Sequence, residues 1–333
     1  MCIFPGRADH AIKLILSSGA RKNIPAHTKM GPVGRNVRYR PRTFVYPVRT
    51  RVLSMGLKER LFGIIPEEDR RRISPHFDVI GDIAIIALPE NLKGYAPVIV
   101  DTIKSYRHGI RTVLGKVENV SGDCRTARYE IITGDTTVTT HHEYGFSYRL
   151  DLSTVFFNPR LASERRRVTS QVQAGESVLV PFCGAGPFVI PAAARGASVV
   201  AVEKNPCAYR WLLENLQVNR CNGRVTAVCG DASDTALLPP QPFDRAIIPT
   251  PYGMDAILGI LAPCVRPAGM LHFYTFKNRK QSEELEQTLT RAGYHVTTRR
   301  RCGNVAPSVS RWVFDLRKAG HPDRNTEISG NPG

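Results

Sequence analysis

Hydrophobic and polar positions follow two different patterns along the chain, and the change falls near residue 176. Before it, short alternating apolar and polar runs are separated by glycine-containing turns, which is typical of antiparallel strands. After it, short apolar runs alternate with segments of helical spacing. That alternation predicts a doubly wound α/β sheet, with a mixed α+β region preceding it.

The elements predicted in the first part include two possible helices near its start, a longer helix and several short strands. Their ranges are 56–64, 66–72 and 95–106 for helical segments, and 77–86 (two pieces), 112–117, 129–133, 136–140 and 146–150 for strands. The glycines at 122, 134 and 145 suit turns between them.

The second part predicts seven strands and four helices. The strands are 177–180, 198–202, 225–229, 245–248, 270–275, 295–298 and 310–316, and the helices are 189–194, 206–219, 254–265 and 281–292. The last strand is expected to run in the reverse direction.

The composition is that of a folded protein, with 42% hydrophobic and 23% charged residues. No apolar run approaches the ~20 residues that span a bilayer, and the apolar run at 12–16 is too short for a signal peptide. The sequence therefore predicts a soluble, cytoplasmic protein without a membrane partner. Eight cysteines form no C-x-x-C pair, and His141-His142 has no third ligand nearby, so no metal site is expected.

The net charge of +17 is unevenly distributed. Residues 1–54 contain eleven basic residues and one acidic residue, with five prolines and no sustained apolar period. This segment is predicted to be a basic, disordered arm. Three interpretations stay open: a contact to nucleic-acid phosphates, a solvated tail, or an extension outside the natural protein, because Met55 opens the first regular pattern.

Glycines and acids at the ends of successive strands predict a ligand site. Gly184 and Gly186 follow the first strand of the second part, Glu203 ends the next strand, and Asp231 follows the third. Glycines let a ligand approach the backbone, and an acid can accept hydrogen bonds from a ribose diol. Each feature alone also suits a helix cap or a packed turn. Together they favour an adenosyl-type ligand at the carboxyl ends of the strands.

The kind of adenosyl ligand follows from the glycine turn. The dinucleotide fingerprint would place a third glycine where Val189 stands. The run 182–188, Phe-Cys-Gly-Ala-Gly-Pro-Phe, instead resembles the first motif of class I S-adenosylmethionine-dependent methyltransferases. Pro249-Thr250-Pro251-Tyr252 partly resembles their substrate-binding Asn-Pro-Pro-Tyr motif. This resemblance implies S-adenosylmethionine as cofactor and a Rossmann-like seven-stranded sheet with a reversed last strand.

A second motif narrows the resemblance. Residues 157–168, Phe-Asn-Pro-Arg-Leu-Ala-Ser-Glu-Arg-Arg-Arg-Val, resemble a stretch of the tRNA (guanine-37-N1)-methyltransferases of archaea and eukaryotes, and 77–82, 122–126 and 142–145 are also similar. The resemblance covers about 55–317. The superfamily also contains the wybutosine-pathway aminocarboxypropyl transferases, which take another group from the same cofactor.

The resemblance implies roles for individual residues. Glu164 matches the general base that removes the guanine N1 proton, Arg125 an arginine that stabilises the base, and Arg160 one that places the nucleotide. Cofactor contacts are implied for Arg165, Phe182, Glu203 and Asp231. The chemistry is consistent, because N1 of guanine is protonated at neutral pH and negative charge builds on O6 once the proton leaves.

Two departures from the family pattern fall where cofactor and base would meet. Val180 stands where the family has an aspartate, and Pro249-Thr250-Pro251 replaces Asn-Leu-Pro. Proline offers no side-chain hydrogen bond, and Thr250 only a hydroxyl. Three functions are therefore carried forward: methyl transfer to N1 of guanine 37 in tRNA, aminocarboxypropyl transfer to tRNA, and tRNA binding without catalysis.

The predicted organisation has five segments and a monomeric state. They are a basic arm (1–54), a small N-terminal α/β module (55–108), an antiparallel RNA-gripping module (109–168), an S-adenosylmethionine-binding methyltransferase domain (169–317) and a flexible tail (318–333).

Overall fold

The structure is a computed structural model that describes residues 56–121 and 126–320. The predicted basic arm, most of the predicted tail and Arg125 lie outside the described residues.

Within residues 56–121 and 126–151, the structure has three α-helices and six strands. The helices are α1 (Leu57–Arg60), α2 (Glu67–Arg72) and α3 (Ala96–Tyr106), and the strands are β1 (Asp78–Ile80), β2 (Ile83–Ile86), β3 (Thr112–Ser121), β4 (Thr126–Thr133), β5 (Val138–Glu143) and β6 (Phe146–Asp151). Strands β1 to β4 form one sheet in sequence order, and β5 and β6 form a separate antiparallel hairpin.

Strand pairing crosses the boundary predicted at residue 108. β2 and β3 are parallel neighbours, with Ile83 opposite Thr112. Parallel neighbours need a crossover connection, and α3 supplies it by packing the buried Ile99 and Ile103 into the core of the N-terminal part. Residues 55–108 and the strands that follow therefore share one sheet, and the predicted antiparallel pattern fails at this one pairing.

The described residues from 152 to 320 contain five α-helices and seven strands. The helices are α4 (Ala162–Thr169), α5 (Val189–Ala194), α6 (Pro206–Val218), α7 (Ile257–Leu261) and α8 (Arg279–Arg291), and the strands are β7 (Ser177–Pro181), β8 (Ser198–Glu203), β9 (Val225–Cys229), β10 (Phe243–Ile248), β11 (Val265–Lys277), β12 (Tyr294–Ala306) and β13 (Val309–Lys318).

The seven strands have the order β12-β13-β11-β10-β7-β8-β9. β13 runs antiparallel to both of its neighbours, whereas the pairs among β11, β10, β7, β8 and β9 are parallel. The predicted fold class, a doubly wound sheet with a reversed last strand, is confirmed. β12 is much longer than the predicted 295–298, because it is an edge strand whose residues are mostly exposed and so lack an apolar alternation.

The parallel strands bring their carboxyl ends to one edge of the sheet, where ligands bind in such folds. One hydrophobic cluster covers a face of the sheet and includes Val189 and Leu212 from its helices and Tyr148 and Leu150 from β6. The β5–β6 hairpin therefore packs into the same core as the methyltransferase-like sheet.

Two asparagines of α6 pair with β6 as a neighbouring strand would. Asn215 accepts from the backbone N–H of Arg149 (2.7 Å) and donates to its carbonyl (2.9 Å). Asn219 does the same with Ser147, at 3.0 and 2.7 Å. A strand edge that would otherwise have unpaired backbone groups is thereby satisfied, and the hairpin is fixed to α6.

We expect Asn215→Ala to lower the free energy of unfolding by about 1–3 kcal/mol. The Asn215 side chain is fully buried, and without it the backbone N–H and carbonyl of Arg149 would lose their hydrogen-bond partners. Denaturant unfolding of the purified chain measures this. Asn219→Ala, at a half-buried position, is the matched control and should cost less. Equal losses for both variants would contradict the expectation.

Candidate active site

A pocket of about 410 Å³ opens at the carboxyl edge of the seven-stranded sheet. Its walls come from the segments that follow β6, β7, β8, β9 and β10, together with α4 and one residue of β13. The predicted site residues that line it are Arg165, Phe182, Gly184, Glu203, Asp231, Pro249, Thr250, Pro251 and Tyr252.

The turn after β7 has an unusual backbone. Phe182, Gly184 and Gly186 all have positive φ, of 52°, 55° and 95°. A Cβ on Gly184 would meet no atom within 4 Å, whereas one on Gly186 would lie 2.7 Å from Cδ1 of Leu212 in α6. Gly184 therefore leaves room in the pocket, and Gly186 allows close helix packing. Phe182 carries the strain of a left-handed conformation, about 1–3 kcal/mol, a cost typical of functional sites.

Glu203 is held in place beside this turn. Its carboxylate accepts hydrogen bonds from the backbone N–H groups of Gly184 (2.7 Å) and Asn205 (2.9 Å). Burial raises the pKa of Glu203 above its ordinary value, and these N–H donors offset part of the rise. Each carboxylate oxygen retains acceptor capacity. The geometry suits two hydroxyl donors of a ribose.

Asp231 lines the pocket, and both of its carboxylate oxygens already have partners within the protein. One oxygen accepts from the backbone N–H and the hydroxyl of Ser233, and the other lies 3.2 Å from Nζ of Lys204. The Ser233 hydrogen bonds, followed by Lys204, lower the pKa of Asp231 to about 2. Asp231 is therefore ionised at neutral pH.

The segment after β10 forms the mouth of the pocket. Thr250 is buried, and its hydroxyl donates to the carbonyl of Ile248 at 3.2 Å. The hydroxyl of Thr250, the only side-chain donor that Pro249-Thr250 offers in place of the family's asparagine amide, therefore donates to the backbone. Tyr252 is 61% exposed, and the exposed side chains of Phe156 and Met254 also line the pocket.

Arg165 joins α4 to the hairpin. Its guanidinium donates to both carboxylate oxygens of Glu143, at 2.8 and 2.5 Å, and to the carbonyl of Asn158 at 3.0 Å. Both charged side chains are buried. Arg165 therefore forms part of the pocket wall and fixes the residues around it.

Glu164 does not line the pocket. Its carboxylate accepts hydrogen bonds from Arg167 (2.7 Å) and from the hydroxyl of Tyr274 (3.1 Å), and it is only 4% exposed. The Tyr274 ring lies 5.7 Å from that of Phe188, which does line the pocket. The Tyr274 side chain therefore lies between Glu164 and Phe188 of the pocket wall.

A chain of buried polar contacts starts at Glu164 and crosses the sheet. Arg167 also donates to Asp315 (2.6 Å), and the network continues through His272, Arg245 and Glu176. Because Arg245 donates to Nε2 of His272, the imidazole N–H is on Nδ1 and donates to Asp315 at 2.7 Å. Burial lowers the pKa of His272, although Asp315 opposes this shift.

Neither Glu164 nor Arg160, the two predicted catalytic residues that the structure describes, lines the pocket. Arg160 is an exposed residue that pairs with Asp78 at 2.7 Å and does not line the pocket. Arg311, which sequence reasoning missed, lines the mouth instead. The only sequence signal for it was its position at the start of the reversed strand, which places it at the carboxyl edge.

The residues present fit an adenosyl group. A cradle that a Cβ on Gly184 would enter, a buried carboxylate with acceptor capacity and apolar walls from Phe182 and Phe188 provide the contacts that such a ligand needs. Within 56–121 and 126–320, no three His, Cys, Asp or Glu side chains are grouped to hold a metal ion.

The sheet order, the reversed strand and the glycine turn at the carboxyl edge define a class I methyltransferase fold. The profile of the TRM5/TYW2 methyltransferase domain matches residues 139–297, and that of the TYW2 N-terminal domain matches residues 57–137. The chain belongs to the TRM5/TYW2 methyltransferase family.

Three curated relatives illustrate the range of the family. The chain is 37% identical to "tRNA (guanine(37)-N(1))-methyltransferase Trm5b" of Pyrococcus abyssi, over 64% of this chain and 63% of that protein. It is 30% identical to "tRNA 4-demethylwyosine(37)-methyltransferase Taw21" of Saccharolobus solfataricus, over 65% and 84%. It is 27% identical to "tRNA(Phe) (4-demethylwyosine(37)-C(7)) aminocarboxypropyltransferase" of Pyrococcus horikoshii, over 81% and 99%.

Solved structures share the fold. The crystal structure of Trm5b from Pyrococcus abyssi matches with a TM-score of 0.68 and 33% identity, over 77% of this chain and 78% of that one. The structure of P. horikoshii TYW2 in complex with MeSAdo matches with a TM-score of 0.62 and 26% identity, over 78% and 97%. The chain spans less than two thirds of the first curated relatives, 63% of the P. abyssi protein and 37% of its Danio rerio counterpart.

Among the residues that the structure describes, helices are too short or too polar to cross a membrane.

We expect the affinity for S-adenosylhomocysteine to fall as the pH is lowered, starting above the ordinary glutamate pKa. The pKa of Glu203 is raised, so this carboxylate takes up a proton early and loses a lone pair that a ribose hydroxyl needs. Glu203→Gln should remove this pH dependence and weaken binding about 10- to 100-fold at neutral pH. Calorimetric titration measures both effects.

Glu214→Gln is the matched control, because Glu214 is a partly exposed glutamate on α6 that pairs with Arg149 and does not line the pocket. A wild-type affinity that stays flat across the acidic range would contradict the role given to Glu203.

Proposed function

We propose that this chain is an S-adenosylmethionine-dependent transferase that modifies the base at position 37 of tRNA. The observation that carries the proposal is the pocket, which combines Glu203 and the glycine turn with an exposed aromatic mouth. The names of the three relatives all place their action at position 37 of tRNA, which supports the same substrate here.

The cofactor proposal is supported by the fit of the pocket and by the MeSAdo complex of P. horikoshii TYW2. Bound S-adenosylmethionine supplies an electrophilic carbon attached to its sulfonium. The protein's part is to hold that carbon and the accepting base in line, since orientation accounts for much of the rate of such a transfer. Val180, which replaces the family's aspartate, is fully buried in β7, so a pocket contact from that position is missing.

For the group transferred, we propose a methyl group, and for the acceptor, N1 of guanine 37. The resemblance of residues 157–168 to the guanine-37 methyltransferases and the 37% identity to Trm5b support this choice. Glu164 is the proposed base that removes the N1 proton. In the structure its carboxylate is bound by Arg167 and Tyr274, so that role requires it to exchange these partners for the base when RNA binds.

A second function, aminocarboxypropyl transfer, is favoured by a different observation. The profile that matches residues 57–137 is that of the TYW2 N-terminal domain, and the P. horikoshii aminocarboxypropyltransferase is matched over 99% of its length. Pro249-Thr250-Pro251, in place of the Asn-Leu-Pro of the guanine-37 methyltransferases, also departs from the pattern that methyl transfer would favour.

Separately labelled cofactors distinguish these functions. We expect tRNA transcripts with guanosine at position 37 to gain label from the cofactor's methyl group, and nucleoside analysis to give 1-methylguanosine. Label from the carboxypropyl chain, on tRNA that carries 4-demethylwyosine, would instead show the second function. Cofactor binding with no label on either RNA would leave only a non-catalytic tRNA-binding protein.

We expect Glu164→Gln to lower the rate of transfer at least about tenfold, because a positioned general base contributes at least that much. The affinities for S-adenosylhomocysteine and tRNA should stay within about twofold of wild type. Single-turnover kinetics measures the rate, and thermal unfolding tests whether loss of the Arg167 ion pair disturbs the fold.

The control for this variant is Glu283→Gln on α8, which also removes a glutamate that pairs with arginine but lies away from the pocket. An unchanged rate in Glu164→Gln would remove Glu164 from the base role.

A further inference from the structure

One arginine of α4, Arg167, is shared by two buried carboxylates. Its Nε and Nη2 atoms donate to Glu164, at 3.0 and 2.7 Å. Its Nη1 and Nη2 atoms donate to Asp315, at 2.6 and 3.1 Å. Both carboxylates are buried, and each occupies one edge of the same guanidinium. We refer to Glu164, Arg167 and Asp315 as the shared-arginine group.

Asp315 is anchored from the sheet as well as by Arg167. His272 on β11 is its register partner on β13, so the two side chains lie on the same face, and Nδ1 of His272 donates to Asp315 at 2.7 Å. Behind it, Arg245 donates to Nε2 of His272 and to both oxygens of Glu176. Burial would raise the pKa of Asp315, but the hydrogen bonds of His272 and Arg167 outweigh it and hold the pKa well below its ordinary value. Asp315 is therefore a permanent carboxylate.

Glu164 is the carboxylate of the group that lies nearer the pocket. Besides Arg167, it accepts from the hydroxyl of Tyr274, at 3.1 Å, and Nε of the partly exposed Arg300 is 4.0 Å from its Oε2. Tyr274 is two residues closer than His272 to the carboxyl end of β11, on the same face. Glu164 thus faces the edge of the sheet where the pocket opens, and Asp315 lies further from it.

This sharing decides what happens to Arg167 when Glu164 changes partners. To take a proton from a base in the pocket, Glu164 has to leave Arg167. The Arg167 side chain is 21% exposed, and a guanidinium so far removed from water is strongly unfavourable without a partner. Because Asp315 keeps two hydrogen bonds to it, Arg167 stays paired after Glu164 has left.

We propose that Asp315 is a positioning residue that retains Arg167 while Glu164 exchanges its partners and accepts the proton of the target base. This inference rests on the proposed function, in which Glu164 is the base. In the proton transfer, the N1–H bond of guanine breaks, its electron pair stays on N1, and an O–H bond forms on Glu164. Asp315 does not line the pocket, so it acts through Arg167.

Asp315→Asn removes the charge with almost no change of shape. We expect it to lower the single-turnover rate of transfer to guanosine 37 about 10- to 100-fold at saturating tRNA, because Glu164 could leave only by stranding Arg167. The affinities for S-adenosylhomocysteine and tRNA should stay within about twofold of wild type, since Asp315 touches neither ligand.

The same substitution in Glu164→Gln separates a positioning role from a structural one. The glutamine accepts no proton, so the retention of Arg167 no longer affects the residual rate. We expect Asp315→Asn to change that residual rate less than about twofold, because residues that act as a unit have non-additive effects. A merely structural role would lower the rate by the same factor with glutamate or glutamine at position 164.

His272→Phe is a second and milder variant. It keeps the Asp315 carboxylate but removes one hydrogen bond to it, so the rate should fall about threefold to tenfold. In Glu164→Gln it should have no further effect. Thermal unfolding and S-adenosylhomocysteine binding show whether each variant folds, and His272→Phe tests the inference by itself if Asp315→Asn does not.

Asp244→Asn is the matched control. Asp244 also pairs with an arginine, Arg266 at 2.6 Å, but it lies near the beginning of β10, at the edge of the sheet opposite the pocket. This variant should keep the wild-type rate with either residue at position 164.

A wild-type rate in folded Asp315→Asn, or equal losses with glutamate and glutamine at position 164, would overturn this inference and leave transfer to position 37 intact. For His272→Phe the same two results would overturn it. An unchanged rate in Glu164→Gln would remove the base role and, with it, this inference, although label on position 37 would still support the transferase. A wild-type protein that transfers no group to position 37 would overturn the proposed function itself.

Discussion

The ion pair between Arg165 and Glu143 is the interaction on which the site most depends. Both side chains are buried and joined by two hydrogen bonds. Burial alone would raise the pKa of Glu143, but the hydrogen bonds and charges of Arg165 and, next, His141 outweigh it and hold the pKa below its ordinary value. Breaking such a pair by removing one partner typically costs about 3–5 kcal/mol. The pair connects the end of β5 to α4, so the β5–β6 hairpin and the pocket wall are positioned together.

The fold was largely predictable because its signals are local. Apolar strands followed by glycine, acid or proline marked the parallel sheet, and the reversed last strand is confirmed. Strand pairings between distant segments were harder to predict from the sequence. The parallel contact of β2 with β3 depends on how α3 packs, and the length of β12 is set by pairing with β13 rather than by any apolar alternation.

The residues of the site also differ in how well the sequence predicts their positions. Glu203 and Asp231 could be located from sequence because the ends of parallel strands meet at one edge. The surroundings of Glu164 could not be predicted from sequence, because Tyr274 and Asp315 are more than a hundred residues away along the chain. Arg311 was missed for the same reason, because the register of β13 against β11 brings it to the mouth.

The asparagine pairs of α6 with β6 also determine where the β5–β6 hairpin lies relative to the pocket. α6 also provides Ala208 to the pocket and Leu212 against the glycine turn. A single helix therefore contacts both the β5–β6 hairpin and the pocket. Since each asparagine matches one backbone residue of β6, sliding the hairpin by one residue would mismatch both at once. The position of the hairpin relative to the pocket is therefore fixed in steps of one residue of β6.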